Sequence, residues 1–234
     1  MVSVADPSLM IVMKKWFRPP NNVMVCLVIA LCLTPSYTLI AKGEITEAVL
    51  IKIEKKYNKF ARERVEAWQK LIMTSQNLSD LEKLIVVNRF FNSNMIFIDD
   101  IALWGKEDYW ATPLEALSIG AGDCEDYSIA KYFTLKQLDV DEEKLRITYV
   151  KAVNIGQAHM VLTYFENKRA TPLVLDNLDI EIKPANLRTD LVPVYSFNGD
   201  GLWLAKSRGE GKRVGNASRL SLWEDLAKRM EADQ

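Results

Sequence analysis

The hydrophobic period changes near residue 140, and that change decides the fold class. Before it, apolar residues recur every three or four positions. Ala61, Val65, Trp68 and Ile72 mark one helix face over residues 60–75. Residues 44–57 read as an earlier helix. Ser79-Asp80-Leu81-Glu82 is a capping box, opening a helix through residue 91 with Leu81, Leu84, Ile85 and Asn88 on its inner side. After residue 145 the period is two: Ile147, Tyr149 and Lys151 alternate with Arg146, Thr148 and Val150. Asn154-Ile155-Gly156-Gln157 is a hairpin turn. Residues 159–166, 173–178 and 201–206 are expected to be further strands. Helices first and antiparallel strands after give an α+β domain. Residues 92–117 read as polar and aromatic loop, apart from their apolar punctuation. Residues 207–218 are Gly-rich and basic and are expected to be mobile. A short terminal helix carries Leu222, Leu226 and Met230 on one stripe.

The N-terminal segment stands apart from this pattern. Lys14, Lys15 and Arg18 precede an apolar run from Val23 to Leu33, which Thr34, Pro35 and Ser36 end. That is the layout of a secretory signal, and the run is short for a membrane span, although an uncleaved anchor is the alternative. Removal after Ala41 is expected, with Leu39 a poor fit to the small-residue rule. Met13-Lys14-Lys15 is a complete opening by itself, so residues 1–12 are expected to be dispensable. The organisation expected is thus a signal over 1–41, a catalytic domain over 42–206, and a mobile segment with a helix over 207–234. Cys26 and Cys32 leave with the signal, so Cys124 becomes the one cysteine of the mature chain. A thiol kept unpaired in an oxidising compartment calls for a reason, and catalysis is a leading one. A formal net charge of −1, with no long basic run, gives no support to nucleic-acid binding.

The chain has a single histidine, His159. Cys124 sits where a Gly-rich turn, Gly120-Ala121-Gly122-Asp123, enters a helix expected to run to about residue 138. Helix N-termini stabilise negative charge, and the thiolate is the nucleophilic form of cysteine. The Cys124 N–H could serve as an oxyanion donor. His159 opens a strand, and Asp176 ends the next one, where its carboxylate could fix the imidazole tautomer. Each residue also has a plainer reading: core cysteine, packed histidine, turn-forming aspartate. Trp104 and Trp110 could equally be core or cleft wall. The acidic run 139–143 reads as a solvated turn.

The residues Gly120 to Tyr127 resemble the nucleophile motif of the bacterial transglutaminase-like cysteine proteinases. Asp108-Tyr109-Trp110-Ala111-Thr112-Pro113, Gln157-Ala158-His159-Met160-Val161-Leu162 and Leu175-Asp176-Asn177 resemble the same family in the same order, over roughly residues 80–205. The resemblance implies a papain-like, transglutaminase-like fold and a catalytic triad of Cys124, His159 and Asp176. The likeness is greatest to the periplasmic, calcium-dependent members that release large biofilm adhesins. It therefore implies a periplasmic location, a large surface adhesin as protein substrate, and sequestration by an inner-membrane cyclic di-GMP receptor. It also implies that Asp123 and Glu125 bind calcium, with Asp126 a weaker candidate. Three carboxylates beside a thiol should oppose its ionisation, and a divalent cation would offset them. Two other readings stay open: acyl transfer from glutamine to an amine, and a non-catalytic calcium-dependent binding module.

Overall fold

The structure is a computed structural model that describes residues 45–204 and 211–232. The expected signal segment, with Cys26 and Cys32, lies outside the described residues. Among the described residues no helix is long and apolar enough to cross a membrane.

Three helices come first: α1 (Glu47–Lys56), α2 (Lys59–Ser75) and α3 (Asp80–Asn94). In α2, Ala61, Val65 and Trp68 are buried as their spacing predicts. The capping box of α3 forms, with the Ser79 N–H donating to Glu82 Oε2 at 2.9 Å. The inner face of α3 is rotated from the expected one. Leu84, Val87, Asn88 and Phe91 are buried, while Leu81 and Ile85 are 53% and 40% exposed. A four-residue stripe read without its tertiary neighbours left the direction open by about one position.

Residues 92–117 hold more structure than expected. They contain β1 (Ile96–Phe97), α4 (Asp100–Leu103) and the start of α5 (Pro113–Ile119). The sequence did carry a signal for α5. Thr112 and Glu115 form a second capping box around Pro113 at the first helical position. A short strand, β2 (Ala121–Gly122), pairs in parallel with β1 and leads into α6 (Cys124–Gln137). Helix α6 is buried nearly all round, including Tyr127, Ile129, Tyr132 and Leu135. It therefore lacks a one-sided apolar stripe and forms the spine of the domain. Trp68 fastens α2 to it, its Nε1–H donating to Thr134 Oγ1 at 2.8 Å.

The second half builds the sheet: β3 (Leu145–Ala152), β4 (Gln157–Tyr164), β5 (Leu173–Leu175), β6 (Lys183–Pro184), β7 (Leu191–Phe197), β8 (Leu202–Leu204) and β9 (Lys212–Gly215). Their order is β6-β5-β4-β3-β7-β8-β9, and every neighbouring pair is antiparallel. Three of these strands, β6, β7 and β9, were not expected. Strand β7 borders β3, yet Pro193 lies inside it. The register shifts between Tyr149 and Val150, opposite that proline, as a strand must when a ladder donor is missing. Strand β9 falls within the segment expected to be mobile and pairs with β8 instead.

The last helix, α7 (Ser221–Ala232), joins the same core, with Trp223 stacked on Phe133 at 5.7 Å and Leu226 buried. Trp110 stacks on Phe197 at 5.4 Å and is core. Trp104 is partly buried against Tyr109, with centroids 4.6 Å apart.

Gly120 ends α5 in the left-handed region, φ +78°, directly beneath the Arg64 guanidinium. Arg64 caps the helix by donating to the carbonyls of Leu117 and Ser118 at 2.7 and 2.9 Å. A Cβ at residue 120 would stand 2.7 Å from Arg64 Cζ. Gly120→Ala should therefore cost about 1–3 kcal/mol in urea unfolding, above the usual penalty for positive φ alone. A loss no larger than the positive-φ penalty alone would show that Arg64 gives way freely.

Candidate functional site

The site begins at the first turn of α6. The chain makes a close turn here: a Cβ at Gly122 would lie 2.5 Å from Asp126 Oδ2. Asp126 is fully buried, and both its oxygens are taken by backbone donors. Oδ1 accepts from the Ala111 N–H at 2.7 Å and Oδ2 from the Asp123 N–H at 3.3 Å. Cys124 follows as the first helical residue and is a free thiol. Its Sγ lies 3.0 Å from Glu125 Oε2, and the backbone N–H of Met160 also points at it. Burial pushes the thiol upward, and the charges of Glu125 and Asp123 add to this; only the Met160 N–H opposes them.

Met160 is the residue after His159, so the thiol lies against the start of β4. His159 Nε2 is 2.7 Å from Asp176 Oδ1 in a buried contact. Asp176 follows β5 and is 1% exposed. Oδ1 also accepts the N–H groups of Asn177 and Leu178, and Oδ2 accepts Arg188 Nη2 at 2.7 Å. Burial alone would raise Asp176, but the bonds to His159, Arg188 and Leu178 outweigh it and bring the carboxyl down to about 2. An ionised Asp176 can only accept, so Nε2 carries the ring proton and Nδ1 is left as the basic atom.

Arg188, Lys131 and Asn92 are site residues that the spacing of motifs did not reveal. Lys131 Nζ and Asn92 Nδ2 both donate to the Asp176 carbonyl, at 3.1 and 2.8 Å. Burial lowers Lys131 to about 7, against the pull of Asp176.

On the other side of Cys124 the carboxylates converge. Asp100 at the start of α4 and Asp108 join Asp123 and Glu125, with ligand oxygens within 4.8 Å of one another in overlapping groups. The aromatic loop 92–117 thus contributes two acids beyond those expected from the nucleophile motif. Asp126 also adjoins Asp100 and Asp123, but backbone donors occupy its oxygens. The run 139–143 lies at the far end of α6, where Glu142 pairs with Lys136 at 2.7 Å.

Among the described residues no basic side chain pairs with Asp100, Asp108, Asp123 or Glu125. The Oδ1 atoms of both Asp100 and Asp123 are buried without a partner. Burial lifts Asp100 to about 6 and Asp123 to about 10, and the neighbouring acids push the same way. Asp108 is raised too, by burial and then by Glu125. Converging carboxylate oxygens with uncompensated charge, buried at Asp100, half-buried at Asp123 and Glu125 and exposed at Asp108, suit a hard divalent cation such as calcium.

These shifts fix the sign of a pH effect on the chelated protein. A carboxyl raised on folding holds its proton more tightly when folded. Its contribution is complete below the ordinary carboxylate value near ~4 and is lost as pH rises through the folded value. Asp176 acts oppositely, but only below that window. Lys131, lowered to about 7, opposes the trend at higher pH. The thermal midpoint in EGTA should therefore fall between roughly pH 4 and pH 7, and calcium should flatten the slope. A midpoint that rises across this window would mean the cluster ionises without cost.

Comparison with known proteins gives the family and the fold. The sequence matches the bacterial transglutaminase-like cysteine proteinases (BTLCP) over residues 37–192. No curated protein matches it significantly. Among solved structures it is similar to Legionella pneumophila LapG, at 41% identity over 77% of this chain and 97% of that one. The EGTA-treated form gives a TM-score of 0.68 and the calcium-bound form 0.67. With helices leading into an antiparallel sheet and a cysteine at the head of the buried helix, the chain belongs to the bacterial transglutaminase-like cysteine proteinases.

Proposed function

We propose that this chain is a periplasmic cysteine endopeptidase that cuts the N-terminal region of a large surface adhesin and so releases it. The observation that carries the reading is the placement of Cys124 at the first turn of α6, against the strand that bears a His159 oriented by Asp176. Sequestration by an inner-membrane cyclic di-GMP receptor, and cleavage at a di-alanine site, come from the resemblance of residues 108–127, 157–162 and 175–177. The similarity to LapG over nearly all of that chain supports the family-level reading, a cysteine protease, on which they build.

In this reading Cys124 Sγ attacks the scissile carbonyl carbon. His159 Nδ1 takes the thiol proton and later gives it to the leaving amine. Asp176 keeps Nε2 protonated and stabilises the imidazolium. The Cys124 N–H, free at the helix start, donates to the oxyanion. Water then attacks the thioester carbonyl, with His159 again as base, and frees the new carboxylate and the thiol. Incubation with an adhesin N-terminal fragment should give two shorter fragments and no isopeptide product; a cross-linked amine adduct instead would favour acyl transfer. Cys124→Ala and His159→Ala should abolish cleavage in folded protein. Asp176→Asn should lower kcat by roughly 10⁴-fold, as expected for a wrong tautomer. Wild-type cleavage by Cys124→Ala would remove the reading altogether.

Calcium fits the acid cluster. Asp123 and Glu125, with Asp100 and Asp108 beside them, would hold it. Bound there, it supplies positive charge that offsets the carboxylates opposing the Cys124 thiolate. Glu125 is the carboxylate 3.0 Å from the thiol, so engaging it elsewhere also frees Sγ to meet His159. The calcium-bound and EGTA-treated forms of LapG support calcium as the ion. EGTA should inactivate the protein reversibly. Magnesium, which demands a tight octahedron and dehydrates reluctantly, should restore activity poorly. Asp123→Ala and Glu125→Ala should mimic chelation. The readout is fragment cleavage across a calcium titration, and full activity in excess EGTA would reduce the four acids to a structural cluster.

A further inference from the structure

Asp176 is held at both of its ends. Its carbonyl accepts from Lys131 and Asn92, which fixes the backbone. Its carboxylate has two faces. Oδ1 serves His159 and the local turn, and Oδ2 serves Arg188. The Arg188 side chain is only 3% exposed and reaches across from the segment between β6 and β7. The same guanidinium holds Asp190, through Nε at 3.0 Å and Nη2 at 2.8 Å. Asp190 therefore fixes the fork, and the fork fixes Oδ2.

Among the described residues, Arg188 is the one permanent cation paired with the Asp176 carboxylate. A buried carboxylate without a compensating charge takes up a proton or turns to find another donor. Either response spoils the arrangement at His159. A protonated Asp176 no longer demands a proton on Nε2. A rotated one exchanges Oδ1 for Oδ2 and moves the acceptor away from the ring.

We propose that Arg188 is a positioning residue for the cysteine protease chemistry: clamped by Asp190, it holds Asp176 ionised with Oδ1 on His159, and so sets the tautomer of that ring. The proposal rests on the protease reading for its kinetic consequence, and on geometry alone for its effect on the histidine. Arg188 touches no reacting atom; it acts through Asp176.

One property of the sequence makes the test clean. His159 is the only histidine in the chain, so its ring signals need no assignment. Untagged, ¹⁵N-labelled protein with calcium present is compared with Arg188→Met and Arg188→Lys by long-range ¹H–¹⁵N correlation, at a pH where the wild-type ring is neutral. Wild type should show one tautomer, protonated at Nε2. Arg188→Met should show both tautomers, and kcat on an internally quenched peptide with a central Ala-Ala should drop about 10- to 100-fold with KM little changed. Arg188→Lys keeps a charge but cannot serve both aspartates through a planar fork. It should fall between the two, about threefold or more below wild type.

A folded Arg188→Met with a single Nε2–H tautomer and wild-type kcat would overturn the proposal and leave Arg188 a structural tie. If that variant does not fold, Arg188→Lys decides: wild-type tautomer and wild-type kcat together would overturn it equally. Failure of wild type to cut the peptide would count against the protease reading, while the tautomer comparison would still decide the role of Arg188.

Discussion

The Asp126 carboxylate is the fastening on which the site depends. It joins two backbone donors that belong to different segments, Ala111 before α5 and Asp123 at the head of α6. With that one side chain buried and satisfied, the close turn at Gly122 and the start of α6 cannot separate. Cys124 is aimed as a result. An acidic group in such a place is tolerated only because both oxygens are occupied, and burial pushes it well above the ordinary carboxylate range all the same. The residue that the nucleophile motif suggests as a metal ligand is thus engaged in holding backbone.

Two electrostatic regimes meet at Cys124. On the His159 side, charge is matched: Asp176, Arg188 and Asp190 form a closed chain of alternating sign. On the Glu125 side it is unmatched, and four acids crowd together with no cationic side chain among the described residues. The first regime holds the His159 ring in one orientation. The second leaves the Cys124 thiol beside uncompensated negative charge. One fold therefore sets an electrostatically closed half against an open one.

The division between what was legible and what was not follows the range of the interactions. Periodicity located α2, whose buried residues recur at helical spacing, whereas α6, buried nearly all round, was marked by the Gly-rich turn that enters it. The Gly-rich turn before Cys124 and the lone histidine pointed to the two halves of the site. The strand β7 was hidden by Pro193 and by three exposed residues in a row, which erase alternation. Asp100, Asp108 and Arg188 were hidden for a different reason. Asp100 opens a single-turn helix and the other two lie in connecting segments, so the role of each exists only after distant segments have met. Arg188 contacts a residue 12 positions away, yet no local pattern distinguishes it from a solvated turn arginine.

The terminal helix was expected to stand apart from the catalytic domain, and Arg229 shows why it does not. Its guanidinium donates to the Trp110 carbonyl at 2.6 Å, pairs with Glu115 at 2.5 Å, and lies 4.5 Å over the Tyr109 ring. The loop so clamped runs from the acid Asp108 to the cap of α5. Its clamp is separated from it by more than a hundred residues of chain. During synthesis the loop must wait for residue 229 before it acquires this support. The support of the acidic cluster is thus completed late, and a nascent chain carries Cys124 for about a hundred residues before it carries Arg229.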